Sequence, residues 1–178
     1  QAIFCVLSLA AACVSARGEQ AGGEPATILG QDAAGWLRYL EGHEIPEERR
    51  MAVYCLGEFG AAARDAVSAL TKLIHGTFDA ELPRLAIESL GRIGPAARPA
   101  LGELLKVLGD DRSPAALRRA ACEAVARIAP EASEVERAVL KAMKESDAAL
   151  RAAAIDGVLT VALTGRSDEA VPALARAM

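Results

Sequence analysis

LGEFGAAARDAVSALTKLI, residues 56–74, and LGRIGPAARPALGELLKVL, residues 90–108, are two closely matching stretches of the same chain. Two further copies follow at a similar period, the last of them degraded, and the spacings between copies are 34, 35 and 33 residues. The four residues that begin the matches, called anchors below, are Leu56, Leu90, Val125 and Val158. Repetition at a nearly constant period of this length predicts a stack of similar structural units.

Two columns of residues accompany the anchors in all four copies. Four positions before each anchor is an alanine, in Ala52, Ala86, Ala121 and Ala154. Three positions after each anchor is a bulky apolar residue, in Phe59, Ile93, Ile128 and Val161. Alanine has the smallest side chain of the good helix formers, so the alanine column predicts helices that approach one another closely. Gly57 and Gly91, next to the first two anchors, predict the same closeness.

Each copy has the pattern of two helices. In the third copy, Leu117, Ala121, Val125 and Ile128 recur at helical spacing and form one apolar stripe. Ser113 is the predicted N-cap of this helix, and Ser133 is predicted to open a capping box for the second one. A single helical hairpin cannot bury such a stripe, whereas stacked hairpins can. We therefore predict an all-α superhelix, a solenoid of about four helical hairpins.

The expected units are residues 46–78, 79–112, 113–146 and 147–178, within a repeat domain that spans residues 32–178. A short helix over residues 32–42 precedes them, capped by Asp32 and carrying Trp36, Leu37 and Leu40 on one face. We interpret this helix as an N-terminal lid on the exposed end of the stack. The alternative is that Trp36 contacts a ligand.

Residues 1–16 carry no charge and contain an apolar run of the length found in signal peptides, too short to span a bilayer. They predict a truncated signal peptide, a linker over residues 17–31, and an exported protein that is periplasmic or extracellular. Alternatively, Cys13 is the acylated residue of a lipoprotein, the one case in which a membrane is an expected partner. We also expect the natural chain to continue past Met178 with further repeats or another domain.

The repeat resembles the HEAT and HEAT-like families, particularly the short bacterial type first named from phycobilin lyases. The resemblance rests on the Leu-Gly-x-Ile-Gly anchors, on hydrophobic-Arg pairs followed by alanines, and on second-helix segments such as Arg98–Leu101 and Ala170–Leu174. It covers residues 47–178, and the Trp/Gly/Tyr pattern of TPR repeats is absent. It implies an armadillo-type superhelix in which the second helices line the concave side.

One position of the second helices is cationic in all four copies, in Lys72, Lys106, Lys141 and Arg176. These side chains form the predicted partner-binding surface, suited to an acidic peptide or an anionic polymer. The alternative is that an exposed helical position simply takes a solvated cation, diluted by acidic neighbours such as Glu103. The first helices carry a separate set of arginines, some of which are predicted to bind carbonyl groups or Asp residues in neighbouring turns and so fix the stacking of the repeats: Arg49, Arg50, Arg84, Arg118, Arg119 and Arg151.

The sequence contains no recognisable catalytic motif, and it predicts neither a cofactor nor a metal site. His43 and His75 have no ligand partners at metal spacing and are interpreted as surface or capping residues. Cys55 and Cys122 lie two units apart, too far for a disulfide, and are predicted to be unpaired buried thiols. Aromatic residues make up 3% of the chain and its net charge is −4, both unfavourable for a nucleic-acid partner.

We therefore predict a non-catalytic scaffold of the bacterial cell envelope that binds another protein. Two alternatives from other classes are a bilin lyase-like enzyme or enzyme accessory, which would use cations to hold propionate groups, and binding of a DNA backbone through the same cationic series.

Overall fold

The structure is a computed structural model that describes residues 26–75, 79, 81–163 and 172. Within these residues there is no strand beyond an isolated bridge between Ile28 and Gln31. The helices are α1 (Ala33–Gly42), α2 (Pro46–Glu58), α3 (Val67–Lys72), α4 (Leu82–Ile93), α5 (Leu101–Gly109), α6 (Ala115–Ile128), α7 (Ser133–Ala142) and α8 (Ala148–Leu163). Short 3-10 segments, Gly60–Ala66 and Gly94–Ala100, lead into α3 and α5.

The helices form two stacked layers. Helices α2, α4, α6 and α8, the first helices of successive units, each pack against the next, and α1 packs on α2. Helices α3, α5 and α7 form the second layer, and each contacts the first helix of the following unit. The prediction of an all-α superhelix is thus confirmed.

The alanine column lies at the centre of this stack. Ala52, Ala86, Ala121 and Ala154 each have a relative exposure of 0%. The anchors next to them are buried as well, so one apolar core runs from α1 through α8. The alanine positions are therefore equivalent in space as well as in sequence, as close approach of successive first helices requires.

Small residues lie where successive first helices are in close contact. A Cβ atom added at Gly57 would lie 3.0 Å from the Cα atom of Ser89, and one added at Gly91 would lie 3.1 Å from the Cα atom of Ala124. Between α6 and α8 the glycine is on the later helix instead of the earlier one. A Cβ atom added at Gly157 would lie 3.4 Å from the Cβ atom of Ala126. Close packing by glycine, predicted at Gly57 and Gly91, is confirmed.

Two glycines at the ends of first helices determine the path of the turn. Gly60 and Gly94 have φ angles of +55° and +69°, which side-chain-bearing residues adopt rarely. Both begin the 3-10 segments. The third unit has Ala129 at this position, with φ of −148°, and there the chain passes directly into a short loop before α7. The third unit, which has alanine in place of this glycine, thus has a different connection between its two helices.

Helix capping differs from the sequence prediction in two places. The Asp32 carboxylate accepts a hydrogen bond from Gly35 N at 2.7 Å, so this predicted cap is confirmed. Ser113 is not an N-cap, because Pro114 remains extended and α6 begins one residue later. Ser133 is also not an N-cap, since it is already helical and Ala132 occupies the capping position without a side-chain hydrogen bond.

Some arginines of the first helices connect neighbouring turns, as predicted, whereas Arg84 and Arg119 pair with glutamates of their own helix. Arg118 donates from Nε to the carbonyl oxygen of Leu108 at 3.1 Å and from Nη2 to Glu145 at 3.0 Å. Arg151 donates to the carbonyl oxygens of Glu145 and Ser146. These side chains satisfy carbonyl groups at the ends of preceding helices and so hold one unit against the next.

The two described cysteines, Cys55 and Cys122, are buried and unpaired, as predicted. Burial raises the pKa of each thiol to about 12, with a smaller contribution from a glutamate close in sequence. Thiolate, the reactive form, is therefore suppressed at both positions.

Several predictions fall outside the described residues: the signal peptide, most of the linker, Cys13, the second helix of the fourth unit and Arg176. The part of the linker that is described packs onto the fold, since Ile28 is buried. Among the helices that can be described, none has the length and apolar character needed to cross a membrane.

Candidate functional site

Three of the four predicted cations lie at corresponding places on the second helices. Lys72 is the last residue of α3, Lys106 lies in the last turn of α5, and Lys141 lies in the last turn of α7. All three are exposed. We refer to these three residues as the lysine surface. A cation near a helix C-terminus also interacts favourably with the helix dipole, which gives the position a structural reason independent of any partner.

The lysine surface is not uniformly cationic. Lys106 Nζ lies 2.8 Å from the Glu103 carboxylate, whose other oxygen lies 3.4 Å from His75 Nε2. In the part of the chain that the structure describes, Lys72 and Lys141 form no ion pair. At the middle position the contact with Glu103 partly offsets the charge of Lys106, although water screens it because the Lys106 side chain is 72% exposed.

The hydrogen bond from Lys106, followed by that from His75, holds the pKa of Glu103 below its ordinary value. Because this pKa is lower in the folded chain than in an unfolded one, the cluster stabilises the fold above the ordinary glutamate pKa. That contribution disappears as the pH falls through the lowered value.

Substitution Lys106→Met is expected to raise the pKa of Glu103 toward its ordinary value, because it removes the largest cause of the shift. Substitution His75→Gln should raise it less. A carboxyl carbon NMR titration of Glu103 measures both effects, with Lys141→Met as a control expected to leave the titration unchanged. An unaltered Glu103 titration in Lys106→Met would contradict the assigned pairing.

The outer face of the first helices carries a network that the sequence analysis did not identify. Arg92 lies 2.7 Å from Glu58 of the preceding unit, and its guanidinium carbon lies 4.9 Å from the ring centroid of Tyr54. Beside it, a cleft of about 240 Å³ is lined by two arginines and two glutamates, whose charges balance. The sequence feature that could have predicted this pair is the occurrence of opposite charges at positions 58 and 92, one repeat apart. We assign this network to holding units together.

Trp36 is buried, with 2% exposure, and its indole N–H donates to the carbonyl oxygen of Ile28 at 3.0 Å. Its ring meets that of Tyr39 edge-on at 5.4 Å. These contacts favour the lid interpretation, because a ligand could not reach the indole without displacing α1.

The histidines have local contacts. His43 Nδ1 lies 2.8 Å from the carbonyl oxygen of Tyr39, and the two rings stack at 3.7 Å. Since a carbonyl only accepts, Nδ1 carries the proton in this contact. No group of three or more potential metal ligands occurs within the described ranges.

Comparison with known proteins agrees with this architecture. The family model described as HEAT repeats matches residues 33–115. A crystal structure of an engineered protein from the Northeast Structural Genomics Consortium has a TM-score of 0.58 with this chain at 22% identity, covering 83% of this chain and 68% of that one. A likeness at this identity establishes the fold alone. A search among curated proteins gave no match.

These findings define an α-helical repeat protein of the solenoid class. Its repeats are HEAT-like, and the match to HEAT repeats extends over residues 33–115.

Proposed function

We propose that this protein is a non-catalytic scaffold that binds an acidic segment of a partner protein through the lysine surface. The observation that carries the proposal is the exposure of Lys72, Lys106 and Lys141 at equivalent positions on three successive second helices. HEAT repeats typically mediate protein interactions, and solenoids commonly use the extended surface formed by one helix layer.

The spacing of the cations favours an extended acidic partner. Neighbouring helices in a packed layer lie about 8–10 Å apart, so successive lysines would meet carboxylates separated by a few residues of an extended segment. Lysine contributes mainly a point charge without fixed geometry, which favours a run of carboxylates over one specific group. The overall charge of −4 weakens attraction of long polyanions, because these would also contact other faces of the molecule.

The cellular location belongs to the proposal as well. The uncharged segment of residues 1–16 supports export to the cell envelope, where the partner would be found.

A charge-reversal variant tests the surface. The triple substitution Lys72→Glu, Lys106→Glu and Lys141→Glu is expected to weaken binding of a fluorescein-labelled oligoglutamate peptide by about tenfold or more, measured by fluorescence anisotropy at low salt. The estimate follows from about 0.5–1 kcal/mol per exposed ion pair lost. Circular dichroism should show that the fold is unchanged.

The matched control is Arg38→Glu, Arg112→Glu and Arg119→Glu, which changes net charge equally on exposed positions outside the second helices. We expect this control to weaken binding less than about threefold, through long-range charge alone. Equal weakening by the two variants would remove the lysine surface from the proposal. Tighter binding of an oligothymidine of equal charge would favour the nucleic-acid alternative.

A further inference from the structure

A second surface lies at the opposite end of the described stack from α8. Helix α1 and the 3-10 segment Gly60–Ala66 border an open groove of about 450 Å³. We refer to it as the N-terminal groove. It is separate from the lysine surface, since none of the three lysines lines it.

The floor of the N-terminal groove is apolar. Trp36 and Leu40 face the core from one side of α1, and residues at the neighbouring helical positions, including Ala33 and Leu37, line the groove. Across from them are Phe59 and Ala62. Leu37 and Phe59 are only partly buried. This apolar surface is therefore continuous with the core on one side and open to solvent on the other.

The rim of the N-terminal groove is mainly acidic. Its charged lining residues are Asp32, Glu41 and Asp65, against a single cation, Arg38. Glu41 forms no ion pair within the described part of the chain. Asp65 lies 3.7 Å from Arg64, but its side chain is 86% exposed, so water screens that contact. Asp32 is partly engaged as the cap of α1. The uncompensated charge at the rim is therefore negative.

We propose that the N-terminal groove binds a short segment of a partner protein in which large apolar side chains are flanked by lysine or arginine. The floor accommodates the apolar side chains, and burying them supplies most of the binding free energy. The acidic rim selects against acidic segments and orients the basic flanks. A volume of about 450 Å³ lies within the range of ordinary ligand pockets and accepts a few side chains, not a whole domain.

The occupant follows from charge. A partner suited to the lysine surface is acidic, and the rim of the groove would repel it. The two surfaces therefore differ in the chemistry they accept, and a scaffold with both could hold an acidic segment and a basic apolar segment at once.

The test uses the whole chain, residues 1–178, and a fluorescein-labelled peptide of about ten residues with phenylalanine and leucine between lysines. A twin peptide carries glutamate in place of every lysine. We expect the lysine peptide to bind at least about tenfold more tightly than its twin in fluorescence anisotropy. Equal affinities, or tighter binding of the glutamate twin, would overturn the proposal.

A matched pair of variants locates the binding. Ala62 is exposed and lines the groove, whereas the neighbouring Ala61 is also exposed and does not line it. Ala62→Arg is expected to weaken binding of the lysine peptide by about tenfold or more, and Ala61→Arg by less than about twofold, although both add the same charge. Equal effects of the two would place the peptide elsewhere and overturn the proposal.

Two other occupants are outcomes of the same test. If the chain dimerises in sedimentation velocity and Ala62→Arg alone abolishes the dimer, a second copy occupies the groove, which overturns the peptide proposal. If the lysine peptide binds only a chain beginning at Ala26, preceding residues of this chain occupy it, which also overturns the proposal. The Lys72→Glu, Lys106→Glu and Lys141→Glu variant should bind the lysine peptide within about threefold of the unaltered chain, the change expected from long-range charge alone, so the two proposals can fail separately.

Discussion

Replacing Gly57 by alanine is expected to lower the free energy of unfolding by about 2–3 kcal/mol, although alanine is the better helix former by about 1 kcal/mol. The added Cβ atom would lie 2.7 Å from Ser89 Oγ and 3.0 Å from Ser89 Cα. Ser89 Oγ donates to the carbonyl oxygen of Val53 at 2.8 Å in a buried setting, so moving it breaks a hydrogen bond. Overpacking costs about 1–3 kcal/mol, and a displaced buried hydroxyl costs a similar amount.

Urea unfolding followed by far-ultraviolet circular dichroism measures this effect. The control is Gly102→Ala in α5, where nothing lies within 4 Å of the added Cβ atom. That control should leave stability unchanged or raise it by up to about 1 kcal/mol. If Gly57→Ala and Gly102→Ala both raised the free energy of unfolding, close approach of α2 and α4 would be contradicted.

A double variant separates the crossing contact from helix propensity. Gly57→Ala combined with Ser89→Gly recreates the order of small residues found between α6 and α8, where Ala126 faces Gly157. We expect the double variant to lose less free energy of unfolding than the two single variants added together, by about 1 kcal/mol or more. The reason is that both substitutions act on the same contact. Strict additivity would show that the two positions do not meet.

Replacing Trp36 by alanine is expected to cost about 3–5 kcal/mol in the free energy with which α1 docks on the stack. The substitution removes the largest buried side chain of α1 and leaves the carbonyl oxygen of Ile28 without its indole donor. In a solenoid, each unit contacts only its neighbours, so the damage should be concentrated in α1 and α2. Amide hydrogen exchange should show lost protection there and retained protection in α6.

Two controls belong with this variant. Arg38→Ala alters an exposed residue of the same helix and should change stability by less than about 0.5 kcal/mol. Trp36→Phe keeps an aromatic ring but removes the indole donor. Its loss of stability should lie between those of Arg38→Ala and Trp36→Ala. If Trp36→Ala left exchange unchanged, the lid interpretation would be wrong. Trp36 would then need another role, such as ligand contact.

The two substitutions also affect the surfaces differently. Gly57 lies at a crossing of first helices, away from the lysine surface, whereas Trp36 holds the helix that forms one side of the N-terminal groove. Undocking α1 should therefore abolish binding of the lysine peptide while leaving the oligoglutamate peptide bound. The stack thus supports the two proposed surfaces independently.

The amino-acid sequence by itself determined the period, the helical character of each unit and the small-residue columns. These features depend on local geometry, since side chains three and four positions apart share a helix face whatever surrounds them. Ala86 and Gly91 could be assigned to a close helix contact for that reason. The cap predictions at Ser113 and Ser133 failed because Pro114 and Ala132 shift helix starts by one residue, a difference too small for pattern alone to resolve.

Only the tertiary structure decided which groups meet across units. The partners Ser89 for Gly57 and Glu58 for Arg92 lie about one repeat away in sequence, and the pairing of Glu103 with His75 crosses a similar distance. The N-terminal groove likewise depends on the angle at which α1 docks. Such contacts depend on differences of a few tenths of an ångström in how the units pack, and the order of residues along one helix does not specify these.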